Sequence, residues 1–196
     1  MIAEEETVLD VCRERTLGWR AERAWHGRGA AWHWLRREGS LTAHLRKLGD
    51  VRVIVLFEGF IELRARASVM GGVTPRSAWA RDVTLCVDGR PAIMARSLVE
   101  AKDSITGWRS IKGLGDSPLA TLLYHDTGVC RSRFEYGLLG REHRLFRLAR
   151  RIVPESHTPR LWARRSVFER QGARLAVAEC FLPWLYQEHP VAMTPS

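Results

Sequence analysis

The chain has 196 residues, 45% of them hydrophobic, which is enough for one well-filled core and short for two domains. Thirty-one Lys and Arg against 22 Asp and Glu leave a formal charge of +9. That balance favours acidic partners without choosing among anionic metabolites, membrane surface and nucleic acid. No apolar run approaches the roughly 20 residues of a membrane span, and the start, with Glu4, Glu5 and Glu6, lacks a secretory h-region, so a soluble cytoplasmic protein is expected. Cys12, Cys86, Cys130 and Cys180 form no Cys-x-x-Cys pair, which points to free thiols in a reducing compartment.

Residues 4 to 31 are charged and carry Trp19 and Trp25 without a regular apolar face, so 1–31 reads as a helical or extended lead-in. Residues 32–48 read as two helical pieces divided at Gly39-Ser40, with Ser40 capping the piece that begins at Leu41. Val51–Leu63 is β-branched and aromatic, one strand bent near Gly59 or two short ones, and Met70–Pro75 is a loop. Asp88-Gly89 separates Arg81–Val87 from Pro91–Val99 and is preferred chemistry for a two-residue hairpin turn, so these strands are antiparallel neighbours.

After a bend at Gly113-Leu-Gly115, Ser117-Pro118 predicts a short helix over Leu119–Tyr124, with serine as cap and proline first in the helix. Strands follow at Val129–Tyr136 and Leu161–Glu169, the second turning at Gln171-Gly172 into Arg174–Leu182. Between them, Arg144, Arg147 and Arg151 share helical spacing with Leu145, Leu148 and Ile152. The pattern implies a single α+β domain over 32–186, an antiparallel sheet with helices packed on one side, followed by a tail at 187–196.

Two charges stand out. Glu179 shares a strand face with Leu175, Val177 and Phe181, and Arg81 is in line with Val83, Leu85 and Val87. A charge on an apolar face requires a partner, so these two should meet each other, a network or a bound ligand; a structural ion pair or a rim arginine is the alternative. Other chemistries are poorly represented. The histidines lack zinc spacing, no Gly-rich nucleotide loop or Gly-x-Ser-x-Gly elbow occurs, and Arg131-Ser-Arg-Phe134 lacks the aromatic platform of an RNA-binding sheet. No metal, nucleotide cofactor or nucleic acid is expected.

Six segments follow in order along the chain: Trp34-Leu with Gly39-Ser-Leu-Thr42, Glu58-Gly-Phe60, Trp79 through Gly89, Leu114-Gly-Asp-Ser-Pro-Leu119, Leu161-Trp-Ala-Arg-Arg-Ser166 and Glu179-Cys-Phe-Leu-Pro183. Taken together they resemble the chorismate lyases, which form 4-hydroxybenzoate and pyruvate from chorismate at the entry to ubiquinone synthesis. The resemblance implies a closed internal pocket, with the product carboxylate on Arg81 and on the backbone amides of Leu41 and Leu119, and its hydroxyl on Glu179. Leu41 stands where some members have Met, a change that a main-chain donor survives. Helix starts suit such amides, because their N–H groups are free and the local field favours an anion.

The same resemblance implies a cofactor-free elimination driven by aromatisation, with Glu179 either the base or only an orienting group. The second carboxylate of chorismate also needs a cation, for which Arg164 or Arg165 is a candidate on motif position, a surface or structural arginine being the alternative. A rival function is a non-catalytic aromatic-acid-binding domain of the same fold, an effector sensor or carrier, although the lead-in is too short for a DNA-binding helix-turn-helix domain. A monomer is expected. The basic helix at 141–152 is either docked on the sheet or a peripheral contact with anionic membrane.

Overall fold

The computed structural model describes residues 19–22, 29–63, 75–124, 126–155 and 158–189. The expectations for residues 1–18, for the loop at 70–74 and for the tail beyond 189 lie outside them. The strands are β1 (Arg20–Ala21), β2 (Val51–Glu62), β3 (Ser77–Val87), β4 (Arg90–Glu100), β5 (Cys130–Arg131), β6 (Glu135–Leu139), β7 (Leu161–Arg170) and β8 (Ala173–Phe181). They form one eight-stranded sheet in the order β1-β6-β7-β8-β4-β3-β2, with β5 added beside β7, and every pairing is antiparallel. The helices are α1 (Ala31–Leu35), α2 (Leu41–Leu45), α3 (Ala120–Leu123), α4 (Arg144–Ile152) and α5 (Pro183–Gln187). No helix among the described residues is long and apolar enough to cross a membrane.

Local chemistry explains the turns. Asp88 and Gly89 sit at φ 48° and 80°, and Gln171 and Gly172 at 52° and 79°, so both hairpins have the two left-handed central residues of a type I′ turn. Ser40 Oγ accepts from the Ala43 N–H at 3.2 Å, capping α2 as expected. The irregularity in β2 falls between Val55 and Phe57 rather than at Gly59. The expected strand Val129–Tyr136 is divided into β5 and β6, both paired with β7. The helix predicted from Ser117-Pro118 begins only at Ala120, without a side-chain cap.

Side chains of directly paired residues project to the same face of an antiparallel sheet, and successive residues alternate. Leu85, Ile93 and Phe181 on one face meet Trp34, Leu35, Leu41 and Leu45 of α1 and α2. The other face, expected to lack helices, carries α4: Met94, Ala163 and Cys180 bury Leu145, Phe146 and Ala149. The arginines of α4 do not form a uniform outward stripe. Arg144 Nε donates to Asp82 Oδ2 at 2.9 Å, and Arg147 Nη1 donates to the Arg141 and Glu142 carbonyls. Asp82 is fully buried and also faces Arg96 Nε at 3.6 Å. Asp82→Ala removes the carboxylate that two mostly buried guanidinium groups share, so we expect a loss of about 3–5 kcal/mol, seen as a lowered urea midpoint at unchanged slope.

Candidate active site

Beneath α2 and α3 the first face of the sheet holds a cavity lined by Leu41, Arg81, Leu119, Arg164 and Glu179 together with small and apolar side chains. The four residues expected from the sequence are thus brought to one site. Two rows of paired residues build its floor. Glu58, Arg81, Ser97, Val177 and Ser166 follow one another from β2 to β7, and Val83, Ala95, Glu179, Arg164 and Tyr136 follow from β3 to β6. Arg81 and Glu179 are therefore two strands and two residues apart, roughly 12 Å between Cα atoms from standard sheet spacings. They do not touch. Ala95 and Ser97 of β4 lie between them and leave the interval open.

Each charge has a partner directly across a strand boundary. Arg81, 1% exposed at its side chain, brings Nε to 3.2 Å from Glu58 Oε1, an ion pair not aligned as a hydrogen bond. Its Nη2 donates to the Gly115 and Ser117 carbonyls at 2.7 and 3.1 Å. Arg164, 2% exposed, donates from Nε to Glu179 Oε2 at 2.6 Å. Its Nη1 donates to the Leu35 and Arg37 carbonyls, and Phe134 lies against the guanidinium with the ring centroid 4.2 Å away. So the first cation holds the segment leading to Leu119, and the second holds the segment leading to Leu41. Neither the Leu41 nor the Leu119 N–H donates to a backbone carbonyl among the described residues, as expected of groups at a helix start.

Glu58 was not singled out from the sequence. The bulge at Leu56 hides it, since one extra residue in β2 brings Val53 and Glu58, of opposite parity, onto the same face. Arg165, the other member of the arginine doublet, is paired with Ala178 rather than Glu179 and bonds Glu135 at 2.7 Å, away from the cavity lining. No group of His, Cys, Asp or Glu able to hold a metal ion occurs among the described residues.

Tyr124, after α3, lines the cavity and donates from its hydroxyl to the Gly39 carbonyl at 2.7 Å, joining the two covering segments. Desolvation lowers the pKa of the Arg81 guanidinium, with Glu58 opposing. Burial raises that of the Tyr124 phenol and Glu179 adds to the rise, with Arg131 and Arg164 opposing. This arrangement offers a cation at one end, a carboxylate beside a second cation at the other, and space between for a flat ring.

The family model for chorismate lyase matches residues 16–191. The chain belongs to the chorismate lyase family. With that family it is an enzyme of the lyase class. A probable chorismate pyruvate-lyase from Bordetella avium is 43% identical over 154 residues, 77% of this chain and 76% of that protein. A probable chorismate pyruvate-lyase 1 from Burkholderia pseudomallei is 38% identical over 152 residues, 77% of this chain and 82% of that protein. Among solved structures, the effector domain of PhnF from Mycobacterium smegmatis aligns with a TM-score of 0.52 at 14% identity, over 74% of this chain and 89% of that one. A GntR-family transcriptional regulator from Bacillus cereus aligns at 0.51 and 9% identity, over 76% and 100%. At such identities the likeness is one of fold alone.

The tyrosine phenols, of which that of Tyr124 lines the cavity, give the fold a pH signature. All three tyrosines are shifted upward, Tyr124 and Tyr136 by burial first and Tyr186 by burial to about 12. The fold favours the neutral phenols, so their contribution to stability is fully present below the unfolded value near 10 and disappears as pH rises through the folded values. Ultraviolet titration of tyrosinate should show a midpoint higher in the native protein than in denaturant. Tyr124→Phe should remove one native ionisation step.

Proposed function

We propose that this member of the chorismate lyase family converts chorismate into 4-hydroxybenzoate and pyruvate without a cofactor, as the opening step toward ubiquinone. What supports the reading is the cavity with Arg81 at one end and the Glu179–Arg164 pair at the other, in a chain of this family. The fold alone does not select it, since effector domains share that fold.

Arg81 and the Leu41 and Leu119 amides take the ring carboxylate, and Glu179 addresses the C4 hydroxyl. The C4–H bond and the C3–O bond to the enolpyruvyl group both break. The C4–H electron pair completes the aromatic ring, while the enolpyruvate oxygen leaves with the ether electrons and collapses to pyruvate as its methylene carbon gains a proton. Electrons balance within the substrate, so no oxidant or reductant is needed. The protein's contribution is orientation and fixed charge in a water-poor cavity, where buried guanidinium groups stabilise developing negative charge on the leaving oxygen. Glu179 stands beside the reacting carbon either to receive the C4 proton or to hold the hydroxyl while the proton passes within the substrate.

Chelator-treated protein given only chorismate should release the two products in equal amounts, followed by ultraviolet absorbance and a coupled pyruvate assay. Absence of either product, or strict dependence on added metal, would sink the reading. Arg81→Ala should weaken 4-hydroxybenzoate binding about ten- to a hundredfold, as expected for a desolvated charge-assisted contact. Glu179→Gln separates its two roles: turnover collapses with product binding retained if it is the base, and falls modestly if it only orients.

A further inference from the structure

Chorismate carries a second carboxylate, on the enolpyruvyl group, for which motif position left Arg164 and Arg165 as alternatives. The cavity narrows the choice. Among its described lining residues the cationic side chains are Arg81 and Arg164. With the ring carboxylate on Arg81 and the C4 hydroxyl on Glu179, the neighbouring C3 ether projects from the Glu179 end. Arg164 is the direct cross-strand partner of Glu179 there, three strands from Arg81.

We infer that Arg164 is the specificity residue for chorismate, its guanidinium binding the enolpyruvyl carboxylate while Nε keeps its hydrogen bond to Glu179. The guanidinium is built to stay in place. Nε is on Glu179, Nη1 is on two backbone carbonyls, and Phe134 lies against its plane. None of the hydrogen bonds among the described residues uses Nη2, which remains to donate to an anion in the cavity that Arg164 lines. Three of the five guanidinium donors are engaged and the planar fork still offers Nη2, whereas an ammonium with three donors would have none left. One group then orients the carboxylate that faces C4 and grips the fragment that leaves from C3, so the two breaking bonds are held in one frame.

This inference rests on the proposed lyase activity, and it separates substrate from product. Chorismate has the second carboxylate and 4-hydroxybenzoate does not, so removing the fork should injure one ligand far more than the other. The experiment compares kcat/KM for chorismate with the equilibrium Kd for 4-hydroxybenzoate in the wild type, Arg164→Gln and Arg164→Lys. Because Arg164 also supports Glu179 and the segment before Leu41, product binding weakens too; for Arg164→Gln the expected result is a fall in kcat/KM about ten- to a hundredfold larger than the loss in product affinity. Arg164→Lys should fall less, in the same direction, and serves as the test on its own if the Gln variant does not fold. Parallel loss of both quantities would make Arg164 a structural support for the Leu35–Arg37 segment and overturn the inference. So would unchanged kcat/KM. A wild type that does not turn over chorismate would refute the lyase reading instead, which is a separate result.

Discussion

Burying two guanidinium groups on one face of the sheet is the constraint from which the rest follows. A desolvated arginine must place its donors, and in this fold the acceptors are an adjacent strand's carboxylate and the main chain of the covering segments. Arg81 secures the stretch through Gly115 and Ser117, and Arg164 secures Leu35 and Arg37. The side chains proposed to meet a ligand's charges thus also hold the segments that carry the backbone amides of Leu119 and Leu41. Site geometry and roof are one hydrogen-bonded unit, so a variant at either arginine must be read through ligand selectivity and not through activity alone.

The opposite face has a different economy. There Asp82 is enclosed by Arg144 and Arg96 under α4, and Met94, Cys180 and Ala163 pack against Leu145 and Phe146. Burial raises the pKa of the Cys180 thiol, which makes it a packing group rather than a reactive one. The candidate site lies on the face under α2 and α3, and α4 covers the other.

Much of this was legible in the chain. Arg81 and Glu179 stood out because period-two alternation placed a charge among Val83, Leu85 and Val177, and the cavity contains both. Their partners were not legible, because pairing depends on register between strands far apart in sequence. Glu58 was concealed by the bulge at Leu56, which breaks the alternation that would have aligned it with Arg81. Arg164 and Arg165 look alike as a doublet, and only the pairing of β7 with β8 shows that the first faces Glu179 and the second does not. The late start of α3 has a related cause: Ser117 and Gly115 carbonyls are engaged by Arg81, a tertiary interaction that overrides local capping preference.

Arg81 and Asp82 are neighbours in β3, yet each is buried on its own face with its own counter-charges. Hydrophobic alternation by itself leaves a strand between apolar layers with little preference between pairings shifted by one residue, because both layers accept aliphatic side chains. This dipeptide removes the ambiguity. A one-residue slip of β3 would thrust a guanidinium among the arginines under α4 and leave a carboxylate opposite Glu58 in the cavity, pairing like charges on both sides at once. The two residues act as a key for the central sheet: a shifted pairing buries like charges on both faces, and the register without that penalty is the one that lines the cavity.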